Sequence, residues 1–279
     1  TGESGALMAE LEPRALLAMA EAAVDEVEAL FTSGLGADPL ITKARGDFAT
    51  EVDLAIERRL RELLQHFTGF PVYGEEYGGS GADPLQDTVW VVDPIDGTTN
   101  YAAGFPMCAI LVALLHKGEP VVALASMPLL CMRVTATLGG GTRVNGREVH
   151  MDPKSGRPVS IAFGSVIARR DGTFPRPWRQ LLLAQVGERY RTIRISGSVG
   201  VDLATTAAGS FGGTVTFSPH VWDNAVGVLL IREAGGVVTD LAGEEWHTGS
   251  LGVLAGTEEV HAGLLHIVKA IQPPDDFRA

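Results

Sequence analysis

The feature that most constrains this chain is an apolar run, Val89–Val92, that leads directly into Asp93-Pro94-Ile95-Asp96-Gly97-Thr98-Thr99-Asn100. The run reads as a buried strand. It ends in two carboxylates, Asp93 and Asp96, held in a tight Pro turn. Those two can grip a hard divalent cation through oxygen. Gly97 lets backbone N–H groups approach an anion closely. Thr98 places a hydroxyl at a helix N-terminus, where phosphate oxygens are favoured. The order suits phosphate chemistry, and an acidic turn followed by a helix cap is the plainer alternative.

Two further acidic sites have the same character. Val72-Tyr73-Gly74-Glu75-Glu76 sets adjacent carboxylates after a short apolar stretch, and Val221-Trp222-Asp223-Asn224-Ala225 opens an apolar helical pattern on an Asp. Together with Asp93-Pro94-Ile95-Asp96-Gly97-Thr98, these strings give a chain that resembles the inositol monophosphatase family of metal-dependent phosphatases. Asp47-Phe48-Ala49-Thr50-Glu51-Val52-Asp53 upstream and Glu233-Ala234-Gly235-Gly236-Val237-Val238 downstream fit as well. The matches run in the family's order from about Lys43 to Asp240.

The resemblance implies a site. Glu75, Asp93 and the Ile95 carbonyl hold one Mg²⁺, and Asp93, Asp96 and Asp223 hold a second. Glu75 with waters holds a weaker third, giving two to three ions. Asp53 and Thr98 form the water-activating pair, with Asp53 taking the Thr98 hydroxyl proton, and Glu75 joins them among the catalytic residues. On sequence alone Asp53 also reads as the N-cap of the helix it precedes. Substrate contacts fall to Asp96, Gly97, Thr98, Asp223 and the small-residue loop Gly197, Ser198 and Val199. Thr216 stands where animal members of the family place a glutamate facing an inositol hydroxyl, so inositol preference is open at that position. Glu76, Lys43, Asp47 and Thr50 are expected to support the site, and Trp222 to anchor the Asp223 helix by packing.

Composition agrees with an enzyme of this kind. Net charge is −12, with 34 acidic against 22 basic residues. No basic stripe stands out, which argues against nucleic acid as a partner. An anionic ester is drawn to such a chain only where bound cations reverse the local field. Four site carboxylates carry about −4 and a phosphate dianion about −2, a load that about three divalent cations balance. No apolar run approaches the roughly 18 residues of a membrane span. No basic segment followed by an apolar one marks a secretion signal, and Met8 reads as the native start. Two cysteines, Cys108 and Cys131, are too few for a disulfide scaffold and point to the cytoplasm; both are expected inside apolar strands.

Periodicity outlines two lobes. Leu11–Phe31 and Val52–Phe67 read as amphipathic helices, the second with Glu57, Arg58, Arg59 and Arg61 outward. Cys108–Leu115 and Val121–Ser126 read as strands joined at His116–Glu119, and Arg133–Thr137 and Arg143–Val149 flank a triple-glycine turn, favouring an antiparallel meander. Composition shifts at Asp152–Pro158, the linker candidate. Beyond it, strands and helices alternate, which implies an α/β lobe. The predicted fold is α/β with an α+β lobe: residues 8–152 form the N-terminal α+β lobe with the metal site, and residues 153–279 form a C-terminal α/β lobe that completes the pocket. The resemblance implies a layered α-β-α-β-α sandwich of the inositol monophosphatase and fructose-1,6-bisphosphatase type. The segment Arg169–Arg179, rich in Arg, Pro and Gly, is open between a loop and an insertion.

The expected function is a cytoplasmic Mg²⁺-dependent phosphomonoesterase for small polyol or sugar phosphates, inositol 1-phosphate first, with no nucleic-acid or membrane partner. The resemblance adds a homodimer. Fructose 1,6-bisphosphate, histidinol phosphate and phosphoadenosine phosphate are alternative substrates on the same metal core. A phosphatase-like scaffold that binds protein or RNA is the alternative from another class.

Overall fold

The computed structural model describes residues 12–37, 41–44, 47–79, 81–151, 159–167 and 174–271, without the side chains of 41–44 and 47–48. The expected linker, Asp152–Pro158, residues 169–173 and the side chains of Lys43 and Asp47 therefore lie outside the described residues.

Helix α1, Pro13–Ser33, starts with Pro at its first turn, where the missing N–H costs nothing. The two-stranded ribbon β1 (Ile41–Ala44) and β2 (Asp47–Ala49) leads into α2, Glu51–Thr68. Next come β3 (Val72–Gly74), β4 (Gly78–Gly79), β5 (Thr88–Asp96) and the short α3 (Thr98–Ala102). The meander follows as β6 (Ala109–His116), β7 (Glu119–Met127), β8 (Met132–Thr137), β9 (Gly141–Val144) and β10 (Arg147–Val149). The sheet order is β10-β9-β8-β7-β6-β5-β3-β4. Every pairing is antiparallel except β3 with β5. Arg143–Val149, expected as one strand, is two strands folded at Asn145-Gly146, both in the left-handed region.

The second half holds β11 (Ser160–Phe163), α4 (Arg176–Arg189), β12 (Thr192–Arg194), α5 (Val199–Ala207) and β13 (Gly213–Thr216). It ends with α6 (Val221–Glu233), β14 (Val237–Thr239), β15 (Val253–Gly256) and α7 (Glu258–Ala270). The sheet order here is β12-β11-β13-β15-β14, parallel across β12, β11 and β13 and antiparallel beyond. The described part of Arg169–Arg179 leads into α4, and Arg176–Arg179 form its first turn.

The layering follows from strand alternation. On β5 and β6, Trp90, Val92, Ile110, Val112 and Leu114 pack against Leu60 and Leu64 of α2 and Val24 and Phe31 of α1. Val89, Val91, Leu111, Ala113 and Leu115 face the opposite way, onto Val201 and Leu203 of α5 and Val228 and Leu229 of α6. The same core reaches Val253 and Ala255 of the second sheet. That sheet's outer face packs Ile161, Val215 and Leu254 against Leu182 of α4 and Leu264 of α7. The result is the α-β-α-β-α sandwich expected.

Two local expectations are corrected. Cys108 is buried, but Cys131 is exposed in the left-handed region, between a 3₁₀ turn at Pro128–Leu130 and β8. Glu57, expected to face outward, is fully buried; it lies one turn after Asp53 on the same helix face, where polar partners replace solvent.

Candidate active site

The carboxylates meet because β5 is irregular. Asp93 pairs with Leu111 and Asp96 with Ala109, so Pro94 and Ile95 together oppose one residue of β6. Three steps along a regular strand would send Asp93 and Asp96 to opposite faces. The extra residue turns both to the same face, and Pro94, which has no N–H to donate, fits a bulge. The expected Pro turn is thus a bulge within the strand. Asp93 accepts the Ile95 N–H at 3.0 Å, which pins the kink.

Asp223, in the first turn of α6, brings a third carboxylate to the same place. One oxygen each of Asp93, Asp96 and Asp223 lie within 4.8 Å of one another. Asp96 accepts the Ser198 hydroxyl and the Gly200 N–H at 2.8 Å, which ties the strand end to the N-terminus of α5. Asp223 accepts the Ser218 hydroxyl. Glu75 follows β3, its N–H bonded to the Val92 carbonyl at 3.2 Å, and its side chain reaches Asp93.

Electrostatics describe a site that resists its own charge. Burial, with Glu75, Asp96 and Asp223 close by, holds Asp93 well above the ordinary carboxylate range. Burial and the Asp96 charge do the same to Asp223, against the Ser218 bond. Asp96 is pushed up to about 6 by burial, with Ser198 and Gly200 opposing the shift. Like charges gathered in a poorly solvated place disfavour ionisation unless a cation joins them. The donors are all carboxylate oxygens, the chemistry of a hard divalent cation and not of a Cys or His zinc site.

Beside this cluster lies the Thr98–Asp53 pair. Thr98 Oγ1 is 3.3 Å from Asp53 Oδ1 and 3.0 Å from the Ile95 carbonyl, so one proton serves two acceptors. Asp53 is not the N-cap. Thr50 caps α2, and Asp53, three residues on, reaches back to complete a capping box, accepting the Thr50 N–H at 2.8 Å and hydroxyl at 2.5 Å. Burial raises the Asp53 pKa and the Thr50 bonds oppose that rise. The cap thus orients Asp53 toward Thr98. Gly97 sits at φ +85°, and a Cβ there would stand 3.0 Å from the Ser198 side chain, so the joint between β5 and α3 requires glycine.

The loop Gly197, Ser198 and Val199 stands beside the cluster through the Ser198 contact. Thr216 does not present itself. It is fully buried, its hydroxyl accepting the Val253 N–H at 3.1 Å and donating to Asn224 at 3.4 Å. Its proton and one lone pair are thus engaged within the core, at the position where a substrate contact is expected.

Several contributors were not evident from sequence. Asn100 donates to the Met107 carbonyl at 2.7 Å and the Ser196 carbonyl at 2.8 Å, joining α3 to the second half. Ser218 holds Asp223, and Glu57 holds the turn that carries Glu76. The His220 ring stacks on Trp222 at 4.6 Å, and Trp222 lies 5.9 Å from Tyr73. Trp222 is therefore a packing anchor, as expected.

Residues 12–272 match the model of the inositol monophosphatase family. The chain belongs to that family. Inositol monophosphatases are phosphoric monoester hydrolases, and this chain is one of them. It is 45% identical over 265 residues to the probable inositol 1-monophosphatase ImpA of Mycobacterium tuberculosis, covering 94% of this chain and 97% of the relative. The inositol-1-monophosphatase ImpA of Mycolicibacterium smegmatis is 43% identical, with 97% and 99% covered. Among solved structures, the extragenic suppressor protein suhB of Bartonella henselae aligns with a TM-score of 0.83 at 26% identity, covering 91% of this chain and 98% of that one. The family is metal-dependent, and the acidic cluster described above suits that dependence. No helix among the described residues is long and apolar enough to cross a membrane.

Proposed function

We propose that this chain is a Mg²⁺-dependent phosphatase for inositol 1-phosphate, releasing inositol and inorganic phosphate. The observation that carries the reading is the convergence of Asp93, Asp96 and Asp223 within 4.8 Å, with the Thr98–Asp53 pair alongside. Glu75, Asp93 and the Ile95 carbonyl would hold one ion, Asp93, Asp96 and Asp223 would hold another, and Glu75 would contribute to a weaker third. Bound there, Mg²⁺ supplies positive charge that neutralises phosphate oxygens and makes water a better nucleophile.

The chain's own groups do the rest. Asp53 is oriented by its cap to accept the Thr98 proton. An Ile95 carbonyl engaged elsewhere leaves Asp53 as the acceptor for that hydroxyl, and Thr98 Oγ1 then offers its lone pairs to a water proton. The attacking oxygen forms its bond to phosphorus as the ester oxygen leaves in line; the inositol oxygen takes a proton from solvent water, and Asp53 returns to solvent the proton drawn from the attacking water. Gly97 and Thr98 N–H groups face phosphate oxygens, and Gly197, Ser198 and Val199 form a low wall for the ring. The Thr216 hydroxyl is buried and bonded within the core, so we assign the larger share of ring recognition to this loop. We place the enzyme in the cytoplasm as a homodimer; both cysteines are free thiols, which agrees with a reducing compartment.

The test is phosphate release from inositol 1-phosphate, fructose 1,6-bisphosphate, histidinol phosphate and 3′-phosphoadenosine 5′-phosphate, each with Mg²⁺ and with chelator. Turnover highest on inositol 1-phosphate and abolished by chelator is expected. Preference for another ester would move the substrate and keep the site. Light scattering after gel filtration gives the oligomeric state.

A further inference from the structure

The turn that carries Glu75 is held from behind by a second carboxylate. Glu57, on α2, is fully buried and accepts the Glu76 N–H at 2.7 Å and the Tyr77 N–H at 3.1 Å. Arg61, one turn further along α2, donates to Glu57 at 2.9 Å, to the Val72 carbonyl at 2.5 Å and to the Gly78 carbonyl at 2.7 Å. The pair therefore clasps the start of β3, the turn at 75–77 and the start of β4. Gly74 belongs to the same device. A Cβ at that position would lie 2.0 Å from Glu57 Oε1, so the carboxylate fills the place of a side chain. Glu75 is fixed on both sides: Gly74 is packed on Glu57, and the Glu76 N–H is bonded to it. Its own N–H is tied to β5.

Two carboxylates of one helix thus serve the site one turn apart. Asp53 addresses Thr98, and Glu57 addresses the Glu75 turn. An anionic acceptor suits the second task, because charge-assisted bonds to backbone N–H groups are short and strong. A neutral amide there keeps at most one acceptor atom for the two N–H groups and Arg61, and turns an NH₂ toward donors.

We propose that Glu57 is a positioning residue that sets Glu75 against Asp93 and so tunes the affinity of the site for a divalent cation, touching neither cation nor substrate. This rests on the reading of Glu75 as a cation ligand. Partners of this kind, which orient a ligand from outside, change metal affinity by about 10–100-fold when removed.

The experiment is titration of the metal-free protein with Mn²⁺, followed by calorimetry and by the electron paramagnetic resonance of free Mn²⁺, for wild type, Glu57→Gln, Glu57→Asp and Glu75→Gln. Glu57→Asp retains the charge but shortens the reach, and it keeps the test available where the amide fails to fold. Mn²⁺ binding weakened roughly tenfold or more in the Glu57 variants is expected. Circular dichroism like wild type, an unchanged KM for substrate at saturating metal and turnover recovered by excess Mn²⁺ should accompany it. A purely structural role would leave Mn²⁺ affinity unmoved in every folded variant and overturns the proposal. Weakened binding in Glu75→Gln with none in the Glu57 variants also overturns it and spares the ligand assignment. Unchanged binding in Glu75→Gln removes the ligand assignment itself, and the proposal with it.

Discussion

At Thr98 a single hydroxyl proton stands between the Asp53 carboxylate and the Ile95 carbonyl. Thr98→Ala removes that proton relay and leaves the three clustered aspartates in place. We expect kcat to fall roughly 10²–10⁴-fold, the usual worth of a positioned acid–base group, with Mn²⁺ affinity unchanged; a loss confined to KM would refute the role. Asp93→Asn should remove most activity by a different route. It also relieves repulsion in a crowded acidic site, so at pH 8 in chelator its thermal midpoint should exceed that of wild type. Near-normal turnover in that variant would sink the assigned mechanism. Residues such as Asp93, Asp96 and Asp223 were legible in the sequence because each sits in a short string whose neighbours announce its chemistry. Glu57 was not, because an acidic residue beside three arginines reads as a solvated helix face. Its burial follows from N–H partners 19 and 20 residues away, which no local pattern reports. The burial of Thr216 was equally hidden: family position alone drew attention to it, and its partner on β15 is 37 residues downstream.

Among the elements, α2 shows how a local signal and a catalytic one share residues. The capping box of Thr50 and Asp53 starts the helix and simultaneously fixes the carboxylate that faces Thr98. Thr50→Ala should cost about 1 kcal/mol of stability, near 2–4 °C for a chain of this size. It should also lower kcat, because Asp53 loses one of its two anchors. Thr50→Ser retains the cap hydroxyl and should recover both, measured by thermal unfolding and initial rates. A kcat unmoved by Thr50→Ala would separate the cap from the site. The meander and the alternating second half were legible from periodicity, since each strand and helix carries its own apolar repeat. The bulge in β5 was not. Asp-Pro-Ile-Asp fits a turn as well as a bulge, and only pairing with Leu111 and Ala109 decides between them. The short turn at Asn145-Gly146 was hidden inside what reads as one strand, although its residues are those a tight hairpin favours.

Across the whole molecule, the site draws on α2, β5, α5 and α6 together, and buried acids gather around it. Asp202, on α5, is buried with one carboxyl oxygen lacking a hydrogen-bond partner among the described residues. Burial pushes its pKa up to about 8, with the Ser196 bond opposing the shift and the Asp96 charge adding to it. Asp96 itself is raised to about 6. Both start from an ordinary value of 3.8. The folded chain therefore holds protons that the unfolded chain has released, and stability falls as pH rises across that interval. The contribution is complete below 3.8, is lost through about 6 for Asp96, and is lost through about 8 for Asp202. Calorimetry in chelator from pH 4 to pH 8 should show the midpoint falling. Mg²⁺ competes with the protons of the cluster, so its stabilisation should grow with pH, reaching about 2.7 kcal/mol at 100 times its Kd. Asp202 lies outside the cation set, and Asp202→Asn separates the two effects. That variant should flatten the metal-free decline at the alkaline end while the Mg²⁺ increment stays as in wild type. A variant that instead lost the Mg²⁺ increment would place Asp202 within the cation site, and an unchanged decline would mean that its carboxyl is ionised in the fold despite its burial.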